Sequence, residues 1–274
     1  MPRLSSTVIA VTGASAGIGR ATARALAADG AAVVVSARRA AKLDELVREI
    51  RAAGGRALAV PGDVTKPEDM QALVERGVEA FGRLDVMICN AGIGYYGPFA
   101  DTPPDAMRRV VDVNLLGTLY AACAALEVFR RQGRGHIIAV SSIAGRRGIG
   151  GSALYSATKA GQIGLVEALR SEFAGTRIRA SIVYPVSTVT ELHDAFERVH
   201  GRRVEGHGPR QSAEVVARAI VRCVRKPRAE VYPLARARWL AVLGVLLPAA
   251  TDRLVRRFGR RVSPGGTPNA GPDA

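Results

Sequence analysis

Tyr155 and Lys159 stand four residues apart in Tyr155-Ser156-Ala157-Thr158-Lys159. In a helix the phenol and the ammonium share one face. A free tyrosine titrates near about pH 10 and is a poor base at neutrality. A cation beside it stabilises the phenolate and lowers that value. A tyrosine so placed can exchange a proton with an alcohol or a carbonyl oxygen. Ser142, the second member of Ser141-Ser142, can donate a hydrogen bond to the same oxygen. On its own Tyr-x-x-x-Lys carries little weight, because surface helices produce it often.

A second constellation lies near the start of the chain. The apolar run Val8–Thr12 leads into Gly13-Ala14-Ser15-Ala16-Gly17-Ile18-Gly19 and then into a helical pattern. Gly13 permits a tight turn, Gly17 lets backbone approach a pyrophosphate, and Gly19 lets helix and strand pack closely. The helix N-terminus adds free N–H groups and the positive end of its dipole. The spacing is G-x-x-x-G-x-G rather than the commoner G-x-G-x-x-G, but its place after the first strand suits a dinucleotide. The second strand ends in Val35-Ser36-Ala37-Arg38-Arg39, without the carboxylate that binds a ribose 2′-hydroxyl in NAD sites. Arg38 and Arg39 can instead pair with a 2′-phosphate, so NADP(H) is expected over NAD(H). The competing reading is two more surface arginines in an arginine-rich chain.

The elements that must position these residues follow from the apolar pattern. Val8–Thr12, Ala32–Ser36, Ala57–Val60, Leu84–Cys89, His136–Ser141 and Ile178–Tyr184 read as strands buried on both faces. Ile18–Ala28, Ala40–Ala53, Glu68–Phe81, Asp105–Arg130 and Ala153–Ala174 read as helices between them. Ser212–Arg225 reads as a further helix with Ser212 at its N-cap, Ala229–Tyr232 as a seventh strand, and a last helix lies near Ala237–Leu247. This alternation predicts a doubly wound α/β sheet. No linker interrupts residues 1–233, which read as one catalytic domain. Residues 234–262 form an apolar and basic helical extension of it, and 263–274 a Pro/Gly-rich disordered tail. Val186–Arg210, carrying His193, His200 and His207, shows no periodicity and reads as a functional or mobile loop.

Composition excludes several classes of function. With 274 residues, 48% of them hydrophobic, the chain buries a sizeable core and is neither a coiled coil nor a disordered tail protein. Cys89, Cys123 and Cys223 lie far apart and include no C-x-x-C, so no metal site or disulfide framework is expected and a reducing, cytoplasmic setting is. The net charge is +15. The reading preferred for most of this excess is arginines spread over solvated faces; the sharper one is attraction to a phosphorylated cofactor, an acidic substrate or anionic lipid. Nucleic acid is not expected, since no binding motif is present and only 5% of residues are aromatic. The apolar stretch at the N-terminus is too short for a secretory signal, and Trp239–Ala250 too short to span a bilayer.

Taken together, Gly13-x-x-x-Gly17-x-Gly19, Asn90-Ala91-Gly92, Asn114, Ser142 and Tyr155-x-x-x-Lys159 resemble the short-chain dehydrogenase/reductase family over about residues 7–233. The resemblance implies a Rossmann-type fold with a seven-stranded parallel sheet and a bound nicotinamide cofactor. It implies Tyr155 as general acid/base, and Lys159 as the group that lowers its pKa and holds the nicotinamide ribose. Ser142 would position the substrate oxygen, and Asn114 would support a water relay from Lys159. Asp63-Val64 matches the adenine contact, and Asn90, Ala91 and Gly92 the lining of the cofactor cleft, with a purely structural turn as the alternative for Asn90. Ser15, Ala16 and Ile18 belong to the cofactor turn with its glycines. After the sixth strand, Pro185 and Thr190 fit the family pattern, whereas Val186 replaces a glycine and Thr188 a Val or Ile. A β-branched residue lacks the positive φ open to glycine, which leaves the path of that loop open.

The segments that frame the substrate in that family carry Tyr95, Tyr96, Phe99, Ile143, Ile149, Val186, Val189, Leu192 and Phe196, an apolar lining suited to a hydrophobic alcohol or ketone. Arg146 and Arg147 read as exposed, solvated arginines, with contact to an acidic substrate tail as the alternative. Trp239–Leu247 is apolar on every helical face and is expected to be buried, as a lid or an interface, ahead of docking on a membrane surface through its basic flanks. The leading function is thus an NADP(H)-dependent oxidoreductase. A non-catalytic cofactor sensor on the same fold is the competitor, and a membrane-surface scaffold a third reading. Resemblance to the family and the small residues Ala157, Gly161, Gly164 and Ala168 on the catalytic helix point to a dimer or tetramer; packing of those residues on the protein's own sheet is the alternative.

Overall fold

The computed structural model describes residues 4–189, 196–197, 202–206, 210–256 and 260–264. Its strands are β1 (Val8–Thr12), β2 (Ala32–Ser36), β3 (Arg56–Ala59), β4 (Val86–Cys89), β5 (Arg134–Val140), β6 (Arg177–Val183), β7 (Ser187–Val189), β8 (Arg202–Gly206), β9 (Arg210–Ser212), β10 (Glu230–Val231) and β11 (Arg260–Pro264). Its helices are α1 (Gly17–Ala28), α2 (Ala40–Ala52), α3 (Pro67–Phe81), α4 (Pro104–Val111), α5 (Gly117–Gln132), α6 (Ile143–Arg146), α7 (Ala153–Glu172), α8 (Ala213–Arg225), α9 (Ala237–Leu246) and α10 (Pro248–Val255).

Seven strands form one sheet in the order β3-β2-β1-β4-β5-β6-β10, with every pair parallel. Alternate residues leave a strand on opposite sides, and both sides are apolar here. Val8, Ala10 and Val34 join Leu73, Phe129 and Val166 in one core layer; Ile9, Val11, Val33 and Val35 join Leu26, Val216 and Ile220 in the other. The strand order reverses between β1 and β4, and this is where doubly wound sheets open a crevice at their C-terminal edge. Phe129 is fully buried, which stabilises by roughly 1.5–3 kcal/mol. Gly135 makes room for it: a Cβ there would lie 2.0 Å from Phe129 Cγ.

The segment expected as one helix, Asp105–Arg130, is broken by a π-helical turn at Asp112–Leu116 between α4 and α5. The run Pro104–Gln132 is long and apolar enough by composition to cross a membrane. Ala121, Ala125 and Phe129 are nevertheless fully buried in the core layer on one side of the sheet, so it is a core helix.

Three further expectations are corrected. Val186–Arg210 is not wholly irregular: β7 pairs in parallel with β9, and β8 pairs antiparallel with β11. His193, His200 and His207 lie outside the described residues. Ser263 and Pro264, assigned to a disordered tail, end β11, while residues 265–274 lie outside the described residues. Finally, α9 is not buried all round. Only Ala237, Ala241 and Gly244 on one face are buried, and Trp239, Val242, Leu243, Val245, Leu246 and Leu247 are exposed. The small-residue stripe of α7 also faces outward: Ala157, Gly164 and Ala168 are exposed, and Gly161 abuts Leu115.

Candidate active site

The crevice at the strand-order reversal is floored by the glycine turn. Gly13 and Gly17 have φ of +67° and +52°, which other residues rarely adopt. At Gly19 the constraint is space, since a Cβ would lie 2.3 Å from the Gly13 carbonyl oxygen and 2.6 Å from Asn90 Nδ2. Asn90 clamps this turn. Its Nδ2 donates to the Thr12 carbonyl at 2.9 Å, while Thr12 Oγ1 accepts from the Asn90 and Ala91 N–H groups at 3.0 and 3.1 Å. The amide of Asn90 is therefore spent on β1, and Ala91 is held against Gly13.

The residues around the turn fit a phosphorylated nucleotide. Ala16 caps α1 without a side-chain bond, and no acidic residue stands in the first turn before or after Ile18. The first N–H groups of the helix thus remain free of a side-chain cap, as an anion site requires. Ser15 Oγ accepts from Arg39 Nη2 at 3.1 Å, so one guanidinium lies beside the turn; Arg38 is exposed next to it. Ser36 Oγ, at the end of β2, is buried with no partner among the described residues. Asp63 Oδ1 accepts from the N–H and hydroxyl of Thr65, and Val64 packs on α5 at Gly117.

Across the crevice, α7 carries Tyr155 and Lys159. Lys159 is buried, and its ammonium lies 5.7 Å from the centre of the Tyr155 ring. Lys159 Nζ donates to the Val140 carbonyl at 2.9 Å and to Gln162 Oε1 at 3.2 Å. Gln162 in turn donates through Nε2 to the Asn114 carbonyl and to Thr118 Oγ1, both at 2.7 Å. The side chain of Asn114 holds the backbone of Ile93 from both sides and donates to Thr158 Oγ1 at 3.1 Å. Burial pushes the Lys159 ammonium down to about 8. Gly92 leaves space for it: a Cβ there would come within 3.5 Å of Nζ.

The paired serines divide their work. Ser141 Oγ donates to the Lys159 carbonyl at 2.8 Å and pins β5 to α7, whereas Ser142 caps α6, accepting from the Ala144 N–H at 3.1 Å. At Gly145 a Cβ would lie 2.6 Å from the Lys159 carbonyl carbon, so α6 rests directly on α7. Pro185 accepts from the Ile143 N–H at 3.0 Å. Val186 follows with no need for positive φ; no non-glycine residue among those described has one. Thr188 Oγ1 donates to the Val186 carbonyl and accepts from Gln211. Thr190 lies outside the described residues.

Of the apolar residues expected at the substrate side, Tyr96 is buried, with its ring 6.5 Å from Tyr155 and 5.2 Å from Phe196. Tyr95 meets Phe196 edge-on at 5.7 Å. Phe99 is exposed. Leu192 lies outside the described residues, as does the side chain of Val189. Arg146 and Arg147 are not free in solvent. Arg146 pairs with Glu167 and Glu230 and lies 5.5 Å from the Tyr184 ring centre; Arg147 pairs with Asp252 and donates to the Pro248 carbonyl at 2.9 Å. They staple α6 to α7, β10 and α10. Gln162 and Thr158 went unnoticed in the sequence, although Gln162 falls on the Tyr155–Lys159 face at i+7 and i+3.

The model of the short chain dehydrogenase family matches residues 7–199. An uncharacterised oxidoreductase of Listeria innocua is 41% identical over 225 residues, covering 78% of this chain and 90% of that protein. The ketoacyl reductase HetN of Nostoc is 32% identical, covering 94% and 91%. A short chain dehydrogenase from Burkholderia cenocepacia, solved with NADP, superposes with a TM-score of 0.73 at 31% identity, covering 83% of this chain and 96% of that one. With its parallel seven-stranded sheet and its glycine turn at the strand-order reversal, the chain belongs to the short chain dehydrogenase family and is an oxidoreductase.

Proposed function

We propose that the enzyme interconverts a hydrophobic ketone or aldehyde and its alcohol with NADP(H), using Tyr155 as general acid/base. The observation that carries this reading is the buried Lys159 ammonium beneath the Tyr155 ring, with Ser142 at the adjoining end of β5. When bound, the nicotinamide would supply hydride to the carbonyl carbon, or accept it from the carbinol carbon of the alcohol in the reverse direction. In the reducing direction Tyr155 gives its hydroxyl proton to the carbonyl oxygen, and Ser142 donates a hydrogen bond to that oxygen. The cation at Lys159 stabilises the phenolate left behind. The turn from Gly13 to Gly19, the Asp63-Val64 pair, residues 90–92, Lys159 and the segment from Pro185 through Thr188 toward Thr190 would hold the cofactor. Tyr95, Tyr96, Phe196 and Val186 favour an apolar substrate, and a ketoacyl reductase among the relatives accords with a 3-oxoacyl thioester. Three free cysteines accord with a cytoplasmic setting; recovery of the protein from a secreted fraction would argue against it.

The hydroxyl of Tyr155 is the proton carrier, so Tyr155→Phe should lower kcat by about 10²–10⁴-fold while leaving the cofactor dissociation constant within twofold. Stopped-flow NADPH oxidation together with fluorescence titration measures both, and a wild-type kcat would sink the mechanism.

The guanidinium beside Ser15 favours NADPH over NADH. Each charge-assisted hydrogen bond contributes about 1.5–3 kcal/mol. Arg38→Ala with Arg39→Ala should therefore weaken NADPH binding by at least about tenfold and leave NADH unchanged. Equal affinities in the wild type would remove the preference.

Gln162 Oε1 is one of two acceptors around the Lys159 ammonium, the Val140 carbonyl being the other. The charged lysine is the active form, so kcat should fall as the pH rises through about 8. Gln162→Leu removes an acceptor, destabilises the cation and moves this limb to lower pH. Gln162→Glu adds a counter-charge and moves it to higher pH. Two superimposable pH profiles would show that Gln162 merely packs.

The outward small-residue stripe of α7 accords with a homo-oligomer built on that helix. A Cβ at Gly164 enters open space, so Gly164→Leu should leave the subunit folded and dissociate the assembly. Light scattering over a dilution series reads this directly; a wild-type protein that is monomeric and active throughout the series defeats the assignment.

A further inference from the structure

Seven large hydrophobic side chains are exposed among the described residues, and six of them belong to α9 and the residue after it. The inner face of that helix is already satisfied. Ala237 and Ala241 pack with Ile143 and Val186, and Gly244 sits over Arg147. Trp239, Leu243 and Leu246 follow at i, i+4 and i+7 and form a crest on the opposite side, with Trp239 and Leu246 each 69% exposed and Val242 and Val245 alongside. A patch of this kind normally marks an interaction surface.

Charge decides what it fits. Arg236 and Arg238 stand exposed at the start of the helix, Arg253 is exposed on α10, and Arg256 is exposed just after it. The acidic residue nearest in sequence, Asp252, is already paired with Arg147. In a two-fold pairing both copies present this same basic-fringed patch, and the two sets of arginines would oppose the contact. An anionic surface meets apolar crest and basic fringe at once. Ten residues of helix reach about 15 Å, half the roughly 30 Å of a bilayer core, so α9 can lie in a membrane surface and cannot cross it. Tryptophan at such a crest suits the headgroup boundary.

We propose that the outer face of α9 seats this protein peripherally on an anionic lipid bilayer, with Trp239, Leu243 and Leu246 inserted and Arg236, Arg238, Arg253 and Arg256 at the headgroups. This rests on exposure and charge alone and stands whether or not the catalytic reading holds.

Trp239 is the one tryptophan of the chain, so intrinsic emission reports the patch directly. The full-length protein is titrated with phosphatidylcholine vesicles and with phosphatidylcholine–phosphatidylglycerol vesicles, at low and at high salt. The expected result is red, quenchable emission in the protein alone and a blue shift with the anionic vesicles only, reversed by salt. Co-sedimentation should follow the same pattern. Leu243→Glu with Leu246→Glu should lower vesicle affinity more than tenfold and leave thermal unfolding unchanged, since both side chains are in solvent. Arg236→Ala and Arg238→Ala should each weaken binding about fivefold. Emission that ignores anionic vesicles overturns the proposal. So does emission already blue in the protein alone: reversal by dilution then identifies a second copy as the occupant, and no reversal identifies the chain itself.

Discussion

A buried ammonium organises this molecule. Lys159 has almost no contact with solvent, and an unpaired cation there would be costly by several kcal/mol. Its neighbours supply acceptors from two directions, the Val140 carbonyl at the end of β5 and Gln162 one turn along α7. The demand spreads outward from there. Gln162 needs its own acceptors, which it finds in the Asn114 carbonyl and the Thr118 hydroxyl. Asn114 lies within the π-turn between α4 and α5. A π-turn shifts backbone pairing by one residue and is a frequent mark of a functional site; here the carbonyl in that turn receives side-chain donors from Thr118 and Gln162. At Gly145 a side chain would run into the Lys159 backbone, and at Gly92 it would crowd the Asn114 side-chain oxygen that binds Ile93.

The opposite wall of the crevice obeys a different constraint, close approach of backbone. Thr12, Gly13, Gly19 and Asn90 bring β1, the turn, α1 and the end of β4 within contact distance. The result is a rigid floor with the uncapped N-terminus of α1 above it. Positive charge is concentrated where this floor meets the end of β2, since Arg39 is held on Ser15. Many of the remaining arginines are tied up: Arg20, Arg83, Arg146, Arg147 and Arg225 all pair with carboxylates. The large net charge is thus unevenly available, and the arginines flanking α9 are among those left to face solvent.

The connection after β6 shows how the fold absorbs a departure from its family pattern. Val186 fits because the chain after β6 takes no positive φ there, and it is anchored by Pro185 on Ile143 and continued by the pairing of β7 with β9. The same valine then meets Ala237 and Ala241, so the loop that borders the crevice also supports α9. Ile143 and Val186 on one side and the helix that carries the exposed crest on the other are therefore neighbours through a single packing layer.

Much of this was legible in the residues themselves. Continuous β-branched runs identify strands buried on both faces, glycine spacing after the first of them identifies a tight turn into α1, and Tyr155-x-x-x-Lys159 falls on one helical face because the α-helical repeat is local. Features that depend on which remote groups share a volume were not legible. The π-turn at Asn114, the role of Gln162, the capture of Arg146 and Arg147 by Glu230 and Asp252, and the pairing of β7 with β9 all join residues distant in the chain. Trp239–Leu247 is the clearest case. Its composition, apolar on every side, calls for burial, yet the sheet and α6 offer only one surface to pack on, wide enough for Ala237, Ala241 and Gly244. Composition determined that the helix would seek an apolar surrounding; the area its neighbours could cover decided that most of it would face outward.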